Sequence, residues 1–132
     1  MTRINVGVDP KDLHYKHLLA EHREIVRIPN AVVSGKAKID FDNRPMKFTL
    51  STGHVRFFYT RLYYLKRRYE EIYAECVERG YNVTYFGNAW NNCPLGTYRD
   101  YVPIKDDLNI ILERLKIRMP GHYSDDLKLH TA

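Results

Sequence analysis

Between residues 52 and 79 the chain places Val55, Phe58, Leu62, Leu65, Tyr69, Ile72 and Cys76 at alternating steps of three and four. That spacing returns every one of these side chains to the same face of an α-helix, and a face so apolar is stable only against a core. Gly80 follows, a residue able to take the left-handed conformation that ends a helix. A second helix is predicted from Pro10, with Asp9 as its N-cap, to about Ile28, where Pro29 interrupts it and Ser34-Gly35 prevents continuation. A third is predicted over residues 104–119, with Ile104, Leu108, Ile111, Leu115 and Met119 on one face and Pro120-Gly121 as its stop. The segment 81–103 is rich in Asn, Gly, Pro and aromatics and has no sustained period, so it reads as a long ordered loop packed by Trp90. The polar tail from His122 is expected to fray. The expected fold is therefore all-α, a compact single domain of three main helices with long ordered loops.

With 132 residues, 44% hydrophobic and 28% charged, the chain has enough apolar material for one core. It has no run of 18 apolar residues and no apolar leader, so a cytoplasmic, membrane-free protein is expected. Cys76 belongs to the apolar stripe and reads as a reduced core thiol, and neither it nor Cys93 has metal-ligand spacing. The net charge of +5 favours a polyanionic partner. Seven basic residues between Arg44 and Arg68 (Arg44, Lys47, Arg56, Arg61, Lys66, Arg67 and Arg68) are interleaved with aromatics and contain no acid. Such a run reads either as a phosphate track or as a solvated helix face.

Two features carry candidate chemistry. On a helix through residues 15–27, with Glu24 set at zero, Tyr15, Leu18, Leu19, His22, Ile25 and Val26 fall at about 100° to 220°, an arc for the core. His22 then reads as a packed histidine. The opposite arc holds Lys16, His17, Ala20, Glu21, Arg23, Glu24 and Arg27, and a carboxylate amid phosphate-binding arginines needs a chemical reason, such as acid/base work or stabilising a cation. The second feature is the start, MTRIN. Thr2 is small enough for removal of Met1, and the freed α-amine, with an ordinary pKa of about 7.7 to 8.0, is partly neutral and nucleophilic at physiological pH.

The segments MTRIN, HLLAEHREIVR, TGHVRFFYTRLYYLKRRYEEIYAECVERGYN and RDYVP, in that order over almost the whole chain, closely resemble the phage endonuclease V family, the pyrimidine-dimer DNA glycosylases. The resemblance implies a mostly helical domain that binds damaged double-stranded DNA, extrudes a base, cuts the glycosidic bond and breaks the strand by β-elimination, without metal or cofactor. It implies Thr2 as the nucleophile, through its α-amine, and Glu24 as the catalytic carboxylate. The family's DNA-contacting residues match Arg3, His17, Arg23, Arg27 and Arg114, and helical spacing adds Arg118. A monomer is expected.

The chain also departs from the family. Its tail, GHYSDDLKLHTA, carries Asp125 and Asp126 where the family has an aromatic, basic segment; a histidine, His22, replaces a tyrosine; the loop over residues 30–42 is shorter. The departures in the tail motivate one other reading, the same amine chemistry on another damaged or modified pyrimidine, and the basic face alone motivates a second, a DNA-binding module without catalysis. The joint presence of Thr2 and Glu24 argues against the second, because phosphate binding requires neither.

Overall fold

A computed structural model describes residues 2–131, and the described residues form helices and turns with no strand. After a 3₁₀ turn at Pro10–Asp12 come α1 (Tyr15–Glu24), α2 (Arg27–Val33), α3 (His54–Phe58) and α4 (Leu62–Glu78). Two further 3₁₀ turns, Gly87–Trp90 and Leu95–Thr97, precede α5 (Lys105–Arg118). No described helix is long and apolar enough to cross a membrane.

The stripe that dominates the sequence is the centre of the core. Phe58, Leu62, Leu65, Tyr69, Ile72 and Cys76 are fully buried, and α1 packs on α4. The predicted 52–79 helix is divided, however, at residues 59–61. Arg61 leaves the helical region (φ −131°, ψ 40°), and the free amides of Tyr63 and Tyr64 in the next turn donate to the carbonyl of Arg99 at 3.1 and 3.4 Å. The stripe survives because Phe58 and Leu62 face the same core across the break. At the far end Gly80 (φ 82°) completes a Schellman cap, with Tyr81 N–H on the Cys76 carbonyl and Gly80 N–H on that of Val77, both at 2.9 Å.

The first predicted helix begins later and breaks earlier than its sequence signals. Asp9 does cap, accepting the Lys11 amide at 3.0 Å, but only a 3₁₀ turn follows. Arg79 captures the carbonyls of Pro10 and Leu13 at 3.0 and 2.9 Å, and α1 starts only at Tyr15, with His14 as its cap. Pro29 acts four residues upstream of itself: it has no N–H for the carbonyl of Ile25 and its ring crowds that group. The helix therefore breaks at Ile25–Val26, and Pro29 sits harmlessly in the first turn of α2. In α5, Leu108, Ile111, Leu112 and Leu115 are buried, whereas Ile104 is exposed as the residue capping the helix.

Three segments outside the main helices contribute residues to the interior. The 81–103 loop is ordered as expected, its Trp90 packed 5.3 Å from the ring of Tyr69. The start of the chain is buried too: Ile4, Val6 and Val8 are core residues. The tail docks rather than frays, with Tyr123 buried, His130 bonded to Glu71 at 2.6 Å, and the His130 amide on the Gly7 carbonyl at 2.9 Å.

One ionic contact joins these parts. Arg68 of α4 and Glu21 of α1, 2% and 1% exposed, form a two-pronged pair at 2.5 and 3.0 Å. Arg68 also donates to the Val8 carbonyl at 2.9 Å, and the Asn5 amide donates to Glu21 at 2.8 Å. Burial alone would lower the Arg68 pKa, but the adjacent Glu21 charge outweighs it and holds the guanidinium firmly protonated. Arg68→Met is expected to cost about 3–5 kcal/mol in urea unfolding, because Glu21 then remains buried without its countercharge. Adding Glu21→Leu should return much of that stability, whereas a single variant as stable as wild type would contradict the role of the pair.

Candidate active site

Helix α1, the N-terminal segment and α5 enclose an open cleft of about 250 Å³ lined by Arg3, Asn5, His17, Ala20, Glu21, Glu24, Arg114, Leu115 and Arg118. The basic side chains of the cleft arrive from three pieces of chain. Arg3 is carried by the buried N-terminal segment and fixed by a 2.9 Å bond from Nη1 to the Leu50 carbonyl. His17 stands on the first turn of α1, and Arg114 and Arg118 are one turn apart on α5.

The arginines repel one another. The pKa of Arg114 is lowered by burial and then by Arg3 and Arg118; that of Arg3 is lowered by burial and by Arg118, with Glu24 opposing. Neither Arg114 nor Arg118 makes a side-chain hydrogen bond to another described residue. Cations held together in this way form a prepared anion site, because an incoming phosphate relieves their repulsion and gains charge-assisted hydrogen bonds.

His17 is held differently. Its Nδ1 lies 2.7 Å from the Tyr123 hydroxyl, which also accepts the His14 amide at 3.0 Å, and the two rings stack with centroids 5.7 Å apart. Burial, then His14, His122, Arg118 and Arg114, lower the His17 pKa and favour the neutral ring. Tyr123 is thus a site-shaping residue that the sequence did not reveal: one tyrosine in a polar tail carries no periodic signal.

The two glutamates of the cleft are chemically unlike. Glu21, assigned by its helical angle to the charged outer arc, is instead buried and occupied by Arg68 and Asn5. Glu24 is partly exposed, and its salt bridge is a loose one, to the exposed Arg23 at 3.7 Å. Among the described residues, Glu24 is the carboxylate of the cleft left open to a ligand.

The cleft brings together five of the predicted site residues: Arg3, His17, Glu24, Arg114 and Arg118. Arg23 and Arg27 are exposed outside it, Arg23 near the end of α1 and Arg27 at the start of α2. Thr2 is 9% exposed and is joined directly to the cleft residue Arg3. The processing of Met1 falls on a residue outside the described ones. His22 is buried as expected, its Nε2 3.1 Å from the Tyr69 hydroxyl.

The basic run from Arg44 to Arg68 is not a continuous phosphate track. Arg61 binds the carbonyls of Pro45 and Phe57, Lys66 binds Glu70 at 2.8 Å, Arg67 binds Asp100 at 2.6 Å, and Arg68 is buried on Glu21. Those charges hold the protein together.

A helical protein with a cationic cleft and a single open carboxylate has the makings of an enzyme acting on a polyanion. The family model described as pyrimidine dimer DNA glycosylase matches residues 1–86, and the chain belongs to that family of enzymes acting on damaged DNA. The match includes Arg3, His17 and Glu24, whereas Arg114, Arg118 and Tyr123 lie beyond it.

Arg114→Ala and Arg118→Ala are each expected to weaken duplex binding and to lower the slope of log affinity against log salt by about one, the change that follows when one fewer phosphate is neutralised. Lys66→Gln, which removes a charge engaged by Glu70, should leave the slope unchanged. Fluorescence anisotropy over a salt series separates the two classes; equal slopes for all three variants would deny the cleft its phosphate role.

Proposed function

We propose that this chain excises pyrimidine dimers by a glycosylase step coupled to strand cleavage, with the α-amine of Thr2, freed by removal of Met1, as nucleophile and Glu24 as the carboxylate that assists it. The observation that carries the reading is the difference between the two cleft glutamates: Glu21 is consumed by Arg68 and Asn5, whereas Glu24 is open beside Arg3, Arg114 and Arg118. A carboxylate kept among phosphate-binding cations works against simple DNA binding, so its use is chemical.

The neutral amine attacks C1′ of the damaged nucleotide, forming an N–C1′ bond as the glycosidic bond breaks and the base departs with its electron pair and a proton. Opening of the C1′–O4′ bond then gives an iminium cation and a protonated O4′. Glu24 stabilises that cation and relays protons. Loss of a C2′ proton drives β-elimination: a C2′=C3′ bond forms and the 3′-phosphate leaves. Water hydrolyses the imine and restores the amine. The chemistry draws on no metal ion or cofactor. Arg3, His17, Arg114 and Arg118 hold backbone phosphates at the lesion, and Arg23 and Arg27 reach flanking ones. Extruding a base costs a few kcal/mol, least where a lesion already weakens pairing, which favours damaged sites.

Glu24→Gln is expected to fold and to bind a dimer-containing duplex as wild type does, while base release slows by about 10²-fold or more. Full glycosylase activity in that variant would remove Glu24 from the mechanism. An N-terminal extension of one residue that resists processing displaces the amine by up to about 3.3–3.6 Å, beyond the reach of attack. Borohydride should trap the mature protein on dimer and abasic duplexes and leave the extended form free; equal trapping of both would refute the terminal amine.

A further inference from the structure

The amine of Thr2 does useful work only if the chain behind it is held still, and three consecutive residues there are each tied to a different part of the fold. Arg3 reaches the Leu50 carbonyl, Asn5 reaches Glu21, and the amide of Ile4 donates to Nε2 of His54 at 3.0 Å. The first and last of these residues are tied through rotatable side chains. The Ile4 contact alone grips the main chain, two residues from Thr2.

His54 is built to receive that amide. It opens α3 and is 2% exposed, with its ring set edge-on to Phe48 and Phe58, centroids 5.5 and 5.4 Å away. Its Nδ1 lies 2.9 Å from the Thr49 carbonyl. A carbonyl only accepts, so Nδ1 carries the proton; an amide N–H only donates, so Nε2 presents its lone pair to Ile4. Both ring nitrogens are thereby assigned, and the ring is neutral. Burial is the main cause that pushes its pKa down to about 4; Arg3 and Arg114 push the same way, while the Thr49 hydrogen bond and Glu21 oppose.

We propose that His54 is a positioning residue for the proposed nucleophile: its Nε2 fixes the Ile4 amide and so sets where the Thr2 amine stands relative to C1′. The inference rests on the reading of Thr2 as nucleophile. Misplacement of reacting atoms by about 1 Å costs on the order of 10²-fold in rate, so removing an anchor two residues away is felt in the chemical step more than in binding.

The test compares two amides. His54→Gln keeps an acceptor at the ε position for the Ile4 amide; His54→Asn keeps only the δ position that faces Thr49. Each is assayed for borohydride trapping at a saturating abasic duplex, for duplex affinity, for reaction of the terminal amine with a small free aldehyde, and for folding by near-ultraviolet circular dichroism. His54→Gln is expected to trap within about threefold of wild type and His54→Asn at least about tenfold more slowly, with duplex affinity and small-aldehyde reactivity unchanged in both.

Equal trapping by the two variants overturns the proposal. So does a parallel fall in affinity and trapping, or failure of His54→Asn to fold, since either makes the role structural only. If wild-type adducts map away from Thr2, the nucleophile assignment fails instead, and the two failures are told apart.

Discussion

The buried pair between Glu21 and Arg68 is the interaction on which the rest of this molecule depends. It joins α1 to α4 across the core, and its unused hydrogen-bonding capacity is taken up by the N-terminal segment, through the Val8 carbonyl and the Asn5 amide. Two charges taken out of water are tolerable only when each satisfies the other and the remaining donors and acceptors are also paired. Here the start of the chain supplies those partners, so the ion pair and the buried N-terminal segment stabilise each other. The segment that would present the nucleophile is in this way made part of the core.

That arrangement divides the charges of the protein into two groups. Arg61, Lys66, Arg67 and Arg68 are each engaged by carbonyls or carboxylates of the protein, Arg68 in the core and Lys66 and Arg67 nearer the surface. Arg3, Arg114 and Arg118 crowd one cleft, where their mutual repulsion is left for an anion to relieve. The glutamates divide likewise, Glu21 to structure and Glu24 to the cleft. Net charge alone does not distinguish the two groups; the partners do. His17 belongs to neither, since burial and its basic neighbours favour a neutral ring that donates or accepts hydrogen bonds without adding charge.

The stripe from Phe58 to Cys76, the Gly80 stop, the ordered loop around Trp90 and the packed His22 were all legible in the sequence, because each is a local pattern with a local cause. The breaks were not. Pro29 marks an interruption, but its steric effect falls on the carbonyl four residues earlier, and the division at residues 59–61 is stabilised by the distant carbonyl of Arg99. Helical angles put Glu21 and Glu24 on one arc, with Glu21 at its edge, and the residue that draws Glu21 inward lies 47 positions away. The alternation of Ile4, Val6 and Val8 was a signal of burial at the start of the chain. Nothing comparable marked Tyr123 or the docking of His130, whose partners are set by tertiary packing.

On the proposed mechanism the covalent chemistry belongs to the main-chain nitrogen of Thr2. This assignment is tested most directly by reducing the wild-type complex with a dimer-containing duplex, digesting the protein and the DNA, and locating the sugar remnant by tandem mass spectrometry. A single modified peptide is expected, beginning at Thr2 with Met1 absent and carrying the remnant on its α-nitrogen. A remnant on a lysine side chain, or base release with no covalent adduct at all, would contradict it.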